Sequence, residues 1–302
     1  MKNIIFSFIF SLLFSAVALT QEKSIVFETS GTKNSFTLKS LSAKFKQHEV
    51  TTFNLHTKRI ETFIGFSMDE IFQKVWTEDY GKNNFVKIEC SDGYTAYIGK
   101  EKFLSDKAYL AFQRKGNLPF HTVDSGSKSI TSLGNYYLVW KESYKKGKAT
   151  RRRAHWPWKI TSISLLDDLP ISIRPLPTSS VDTHWGYFNF VKQCLPCHSL
   201  NGFGGMVGPD LLNFNNWKEK DDKWLKSFIS NPRKINPKST MSGFPFKIDI
   251  RDIRIKNIVL YLRHLTDPNF SKLKNEKKKR YSHKELLNKL SKEYNVKRKD
   301  LE

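Results

Sequence analysis

Between residues 24 and 166 the hydrophobic pattern repeats every second residue. Val86, Ile88 and Cys90 alternate with Lys87 and Glu89, as in a strand with one face in a core. Asp92-Gly93 follows as a hairpin turn, and the chain returns through Tyr94 to Ile98. Residues 136–140 and 158–163 read as further strands. One helix stands out. Ser67-Met68-Asp69-Glu70 is a capping box, and Ile71, Phe72, Val75 and Trp76 supply the apolar stripe behind it. More strand than helix predicts an α+β domain over residues 24–166. Residues 167–181 hold three prolines and few core residues, which predicts a semi-rigid linker. From Asp182 the pattern turns helical, with Gly/Pro/Asn loops. Trp224, Leu225 and Ile229 mark one helix. Ile253, Ile258, Leu260-Tyr261-Leu262 and Leu265 mark another, with Asp249 as its expected N-cap. Residues 269–302 form a basic tail in which Leu286, Leu287, Leu290 and Tyr294 are spaced for an amphipathic helix.

The N-terminus changes the expected compartment. Lys2 precedes a run from Ile4 to Leu19 that is apolar apart from serines, and Ala16-Val17-Ala18 offers a small-x-small cleavage pattern. Residues 1–20 therefore read as a signal peptide, and the mature chain as exported or periplasmic and soluble. The net charge is +22, from 51 Lys and Arg against 29 Asp and Glu. That balance favours acidic partner proteins or an anionic membrane surface. An exported chain meets little nucleic acid, so nucleic acid is set aside as a partner. Lys145 to Arg153 reads as a solvated basic loop.

Three cysteines occur in 302 residues, and two of them stand in QCLPCHSL, residues 193–200. Cys194, Cys197 and His198 form C-x-x-C-H, the attachment signature of c-type haem. Two cysteines three apart on one turn can each form a thioether with a haem vinyl group. The adjacent histidine then offers its ring to the iron. Zinc would need a second ligand pair, and no cysteine follows position 197. A thioredoxin-like redox pair would need a βαβ setting, and a structural disulfide here would close a very small loop.

The flanks resemble the class I cytochrome c domain over residues 182–266. Gly186 and Phe190 precede Cys194 at one-turn intervals, and GFGGMVGPDL, residues 202–211, is similar to the family's glycine-rich loop. The resemblance implies an all-α cytochrome domain with one covalent haem. It implies that the Pro209 carbonyl supports His198, that Met241 ahead of the last helix is the second axial ligand, and that Tyr261 packs on Gly186. Met206, His184 and His264 are the rival ligands. This chain has Met241-Ser242 where the family usually has Met-Pro, with Pro245 further on.

Residues 24–166 resemble, more diffusely, the sulfite-oxidase-like molybdopterin-binding fold with its mixed sheet. The resemblance rests on the helix after Gly65-Phe66-Ser67-Met68, on residues 86–103 and on a closing strand at 158–163. Cys90 falls near that family's molybdenum-ligating cysteine, but it also continues the apolar face of Val86 and Ile88. It is read as a structural thiol, and a molybdenum cofactor is not carried over. The combined expectation is an exported monohaem cytochrome that carries single electrons, with an N-terminal docking domain. The alternative is a molybdenum oxidoreductase that passes its electrons to the haem.

Overall fold

A computed structural model describes residues 24–29, 32–54, 56–76, 83–123, 129–141, 144–145, 148–149, 155–176, 178–244, 248–267, 283–295 and 297. The expected signal peptide, most of the basic loop at 145–153, Pro245 and the first part of the tail lie outside the described residues.

Strands β1 (Ser24–Thr29) and β2 (Thr32–Thr37) lead into α1 (Leu38–Lys44). Then come β3 (Gln47–Asn54), β4 (Arg59–Ser67), α2 (Met68–Val75), β5 (Phe85–Cys90), β6 (Thr95–Gly99), α3 (Lys100–Asp106) and β7 (Ala108–Arg114). β8 (His121–Val123), β9 (Ile130–Ser132), β10 (Tyr137–Trp140), β11 (Tyr144–Lys145), β12 (Lys148–Ala149) and β13 (Ile160–Leu166) complete the first half. The second half holds α4 (Val181–Gln193), β14 (Ser199–Leu200), β15 (Phe203–Gly204), α5 (Asp222–Ser230), α6 (Pro232–Ile235), α7 (Ile248–Thr266) and α8 (His283–Glu293).

A five-stranded sheet runs β2-β1-β13-β5-β6, with β1 and β13 parallel and the other neighbours antiparallel. A four-stranded antiparallel sheet runs β10-β7-β4-β3. One core draws on both: Phe27 of β1, Val86 and Ile88 of β5, Phe63 and Phe66 of β4, and Leu110 of β7, with Ile71 and Phe72 of α2. The Ser67 hydroxyl caps α2 by accepting from the Glu70 amide at 3.5 Å. The edge strand β10 is fully buried, because residues 156–160 cover it and Leu138 donates to the Pro157 carbonyl at 3.0 Å.

The expected α+β domain followed by a separate all-α domain is overturned. Sheets run through most of the chain, and the architecture is mixed α/β, with eight α-helices and five sheets among the described residues. Two physical causes account for the difference. First, Asn201 and Gly202 both adopt positive φ, 50° and 78°, and reverse the chain so that β14 pairs with β15 directly after the cysteine motif. Asn-Gly is a strong hairpin signal, because both residues tolerate the left-handed region. Second, the helical half does not close on itself. Tyr97 of β6 is buried in the same core as Phe190, Leu195 and Tyr261, and Phe85 and Leu166 pack against that core.

Three aliphatics within residues 167–181 belong to this second core as well. Leu169, Ile173 and Leu176 are 3%, 1% and 8% exposed, and the Tyr261 hydroxyl donates to the Ile173 carbonyl at 2.5 Å. Pro170 and Pro175 stiffen the backbone without preventing the aliphatics between and beside them from burying. Asp249 lies within the first turn of α7 and not at its N-cap.

Helices α4 and α7 cross at Gly186, where an added Cβ would sit 1.9 Å from the Asn257 carbonyl oxygen and 2.8 Å from the Tyr261 Cβ. The tail helix α8 is docked. Leu286, Leu287 and Leu290 bury against Trp185, and the Tyr294 hydroxyl donates to Asp182 at 2.7 Å. Among the described residues no helix is long and apolar enough to cross a membrane.

Candidate functional site

Helix α4 begins at Ser180, whose hydroxyl accepts from the Thr183 amide at 3.1 Å, and ends in the cysteine motif. The Phe190 carbonyl accepts from the Cys194 amide at 2.8 Å and from the Leu195 amide at 2.9 Å. The Cys194 carbonyl in turn accepts from Cys197 at 3.0 Å and His198 at 2.8 Å. The chain thus coils once more beyond the helix, and that turn carries both cysteines. Neither is joined in a disulfide. Burial pushes the Cys194 thiol up to about 12, and the charge of Cys197 adds to it.

His198 follows on the same turn. Its Nδ1 lies 3.0 Å from the Pro209 carbonyl oxygen. A carbonyl can only accept, so Nδ1 carries the proton and Nε2 keeps its lone pair. Burial holds the ring's pKa below the usual histidine value, against the upward pull of the Pro209 bond, so the ring is neutral at pH 7. Glycine is required beside it: a Cβ at Gly208 would lie 2.5 Å from His198 Cε1. The Gly205 amide donates to Leu195 at 2.8 Å, and the Gly208 amide to Cys197 at 2.7 Å. These bonds lay the glycine loop directly along the motif.

Asp210 is the residue that sequence reading missed. Its carboxylate accepts from the Gly202 amide at 2.7 Å, the Ser199 hydroxyl at 2.9 Å, and the Leu212 and Asn213 amides at 3.0 and 3.2 Å. Burial alone would raise its pKa, but these four donors outweigh burial and hold the carboxyl below its ordinary value. Its sequence signal was a carboxylate two residues before backbone amides in a turn, the Asx pattern.

The structure gathers Cys194, Cys197, His198 and Pro209 into one cluster. Met241 lies on a different loop, between α6 and α7. It is half-buried, and its amide donates to the Ser239 hydroxyl at 3.2 Å. That loop is anchored by the Phe244 amide on the Ile229 carbonyl at 3.2 Å and by Arg233 on the Ser239 carbonyl at 3.1 Å. The rivals stand elsewhere. Met206 is 82% exposed on the motif's own loop. His264 Nε2 meets the Ser179 hydroxyl at 3.2 Å, and His184 is buried within α4. Cys90 is 8% exposed at the end of β5, its thiol pushed well up by burial, with Asp92 and Glu89 adding.

The first half of the chain reaches this cluster through the β5–β6 hairpin. The Thr95 amide donates to the Pro196 carbonyl at 2.9 Å, and the Met206 amide to the Gly93 carbonyl at 2.8 Å. The Tyr97 ring lies 4.7 Å from that of Phe203. No local pattern could have announced these contacts, because they join residues about a hundred positions apart.

Among the described residues no three His, Cys, Asp or Glu side chains converge as a metal site. A haem iron with His and Met axial ligands takes only two ligands from the protein and needs no such group. The residues present fit a covalently attached haem: two cysteines three apart on one turn and in no disulfide, and a neutral imidazole oriented through Nδ1. No family model matches this chain, and no curated protein sequence matches it.

Proposed function

We propose that the chain is an exported monohaem c-type cytochrome that carries single electrons between redox partners. The observation that carries this reading is the His198 ring, held through Nδ1 by the Pro209 carbonyl at 3.0 Å, on the same turn as Cys194 and Cys197. Cys194 and Cys197 would hold the haem by thioethers, and His198 Nε2 and Met241 would be the axial ligands. When bound, the haem supplies the one-electron couple of its iron. The loop that carries Met241 is anchored at Ile229 and Ser239. With both axial positions filled by the chain, a small substrate finds no open coordination site, which favours a carrier over an oxidase or peroxidase. The charge of +22 favours acidic docking surfaces on the partners, or an anionic membrane.

Acidified acetone tests the attachment. The haem should stay with the protein, and a tryptic peptide containing residues 194–198 should carry its mass. Clean extraction of the haem overturns the reading. The ligand is tested by Met241→Ala, which should abolish the weak sulfur-to-iron charge-transfer band of the oxidised protein and lower its potential. Met206→Ala should leave both unchanged, and the reverse result would move the ligand role to Met206.

A further inference from the structure

Three successive residues of the cysteine turn are tied to three successive residues of the glycine loop. The Gly208 amide donates to the Cys197 carbonyl at 2.7 Å, His198 Nδ1 to the Pro209 carbonyl at 3.0 Å, and the Ser199 hydroxyl to Asp210 Oδ2 at 2.9 Å. The Leu211 amide adds a bond to the Ser199 carbonyl at 2.9 Å. Only the middle rung involves the imidazole. Its direction depends on the peptide plane that Pro209 shares with Asp210, because the Pro209 carbonyl and the Asp210 amide are the two ends of one planar group. The proline ring limits rotation on one side of that plane. Asp210 holds the other side. Its Oδ2 accepts from Ser199 and from the Gly202 amide at 2.7 Å, and its Oδ1 from the Leu212 and Asn213 amides at 3.0 and 3.2 Å. None of these four bonds goes to the ring, so Asp210 acts on His198 through the carbonyl.

We propose that Asp210 is a positioning residue that aims the Pro209 carbonyl at His198 Nδ1 and thereby lowers the reduction potential of the haem. The inference rests on the haem reading above. A well-aimed carbonyl draws the Nδ1 proton outward and makes Nε2 a stronger electron donor. A stronger donor favours the oxidised iron, which carries one more positive charge, so the potential falls. The charge of the carboxylate would act in the same direction through space. Ser199 separates the two effects, because its hydroxyl contributes one of the four bonds and no charge.

Two variants of the full-length holoprotein test this with two readings. One is the potential, by potentiometric titration. The other is the His198 Nδ1 proton resonance of the reduced, diamagnetic protein, which reports the strength of the bond to Pro209. Asp210→Ala should raise the potential and move the resonance upfield. Ser199→Ala keeps the carboxylate and loses one bond, and should move both in the same direction by less. Either reading unmoved in Asp210→Ala overturns the proposal. So does a Ser199→Ala protein that matches the parent in both, which would assign the effect to charge alone. If Asp210→Ala does not fold, Ser199→Ala decides by itself. Hydrogen exchange on the parent needs no variant. The Gly202 amide should be protected, and exchange at the rate of exposed loops would show that Asp210 does not hold the turn. Acid-acetone retention of haem in the parent separates the two levels of the argument. If the haem is lost, the haem reading fails; if it is retained and neither reading moves, only the role of Asp210 fails.

Discussion

Asp210 shows how much one side chain can organise. Its four bonds tie the turn at Gly202, the strand at Ser199 and the amides that follow Pro209, so it fixes the frame in which the Pro209 carbonyl meets His198. Asp210→Ala leaves these donors to find water or go unpaired, at a cost of about 1–3 kcal/mol. The pH dependence follows from the lowered carboxyl. A depressed folded-state value means that the stabilisation is fully present above the ordinary value of 3.8 and is lost as pH falls below it. Urea midpoints of parent and variant should differ at pH 7 and converge on strong acidification; a gap independent of pH would show that the charge contributes nothing. At this scale the sequence reveals residue types but not their partners. Cys194, Cys197 and His198 stand out in the sequence because their spacing alone is distinctive. Asp210 reads only as a turn former, since two of its partners are 8 and 11 residues away.

Elements were legible where a local rule defines them. Ser67 opens α2, β5 alternates as its sequence does, and Asp92-Gly93 turns the chain into β6. The hairpin at Asn201-Gly202 obeyed the same rule, inside a stretch whose cysteines pointed to other chemistry. What no local rule supplies is which faces meet. The apolar stripe of α8 was visible in Leu286, Leu287 and Leu290, but its seat on Trp185 was not. That seat makes a prediction. Truncating a fully buried leucine costs about 2–5 kcal/mol, more than a short helix on one contact face can lose. Leu287→Ala should therefore release α8 and expose Trp185, read as a red shift in tryptophan fluorescence with the rest of the fold intact. An unchanged spectrum would mean that α8 is held by Tyr294 and Asp182 instead. Gly186→Ala tests the α4–α7 crossing. The added Cβ meets backbone, which cannot rotate away, so the helices must separate at a cost of about 1–3 kcal/mol.

Among the described residues the two larger cores share a wall, and a third, smaller one seats α8 on Trp185. Tyr97 belongs to one sheet and to the other half's interior, and Arg254, 1% exposed, is buried beside Trp185 with its guanidinium 5.5 Å from the ring. The net charge acts at this scale. Residues 271–302 carry twelve basic and five acidic side chains, which is +7 of the total +22. Deleting the tail should slow reduction by an acidic protein at low salt, and the difference should fade as the Debye length shrinks from ~10 Å at 0.1 M to ~3 Å at 1 M. Stopped-flow rates that are flat in salt would remove steering from the account. The buried strap at Leu169, Ile173 and Leu176 has a consequence for how the chain can be divided. Composition marks residues 167–181 as the place to cut. Yet a nick there should leave two fragments that migrate as one species in gel filtration, each completing the other's interior. Expressed alone, either fragment should be aggregation-prone, with Tyr97 or its partners turned out to solvent. The halves are therefore not interchangeable cassettes: a helical half lifted out at residue 182 would lose part of its own interior.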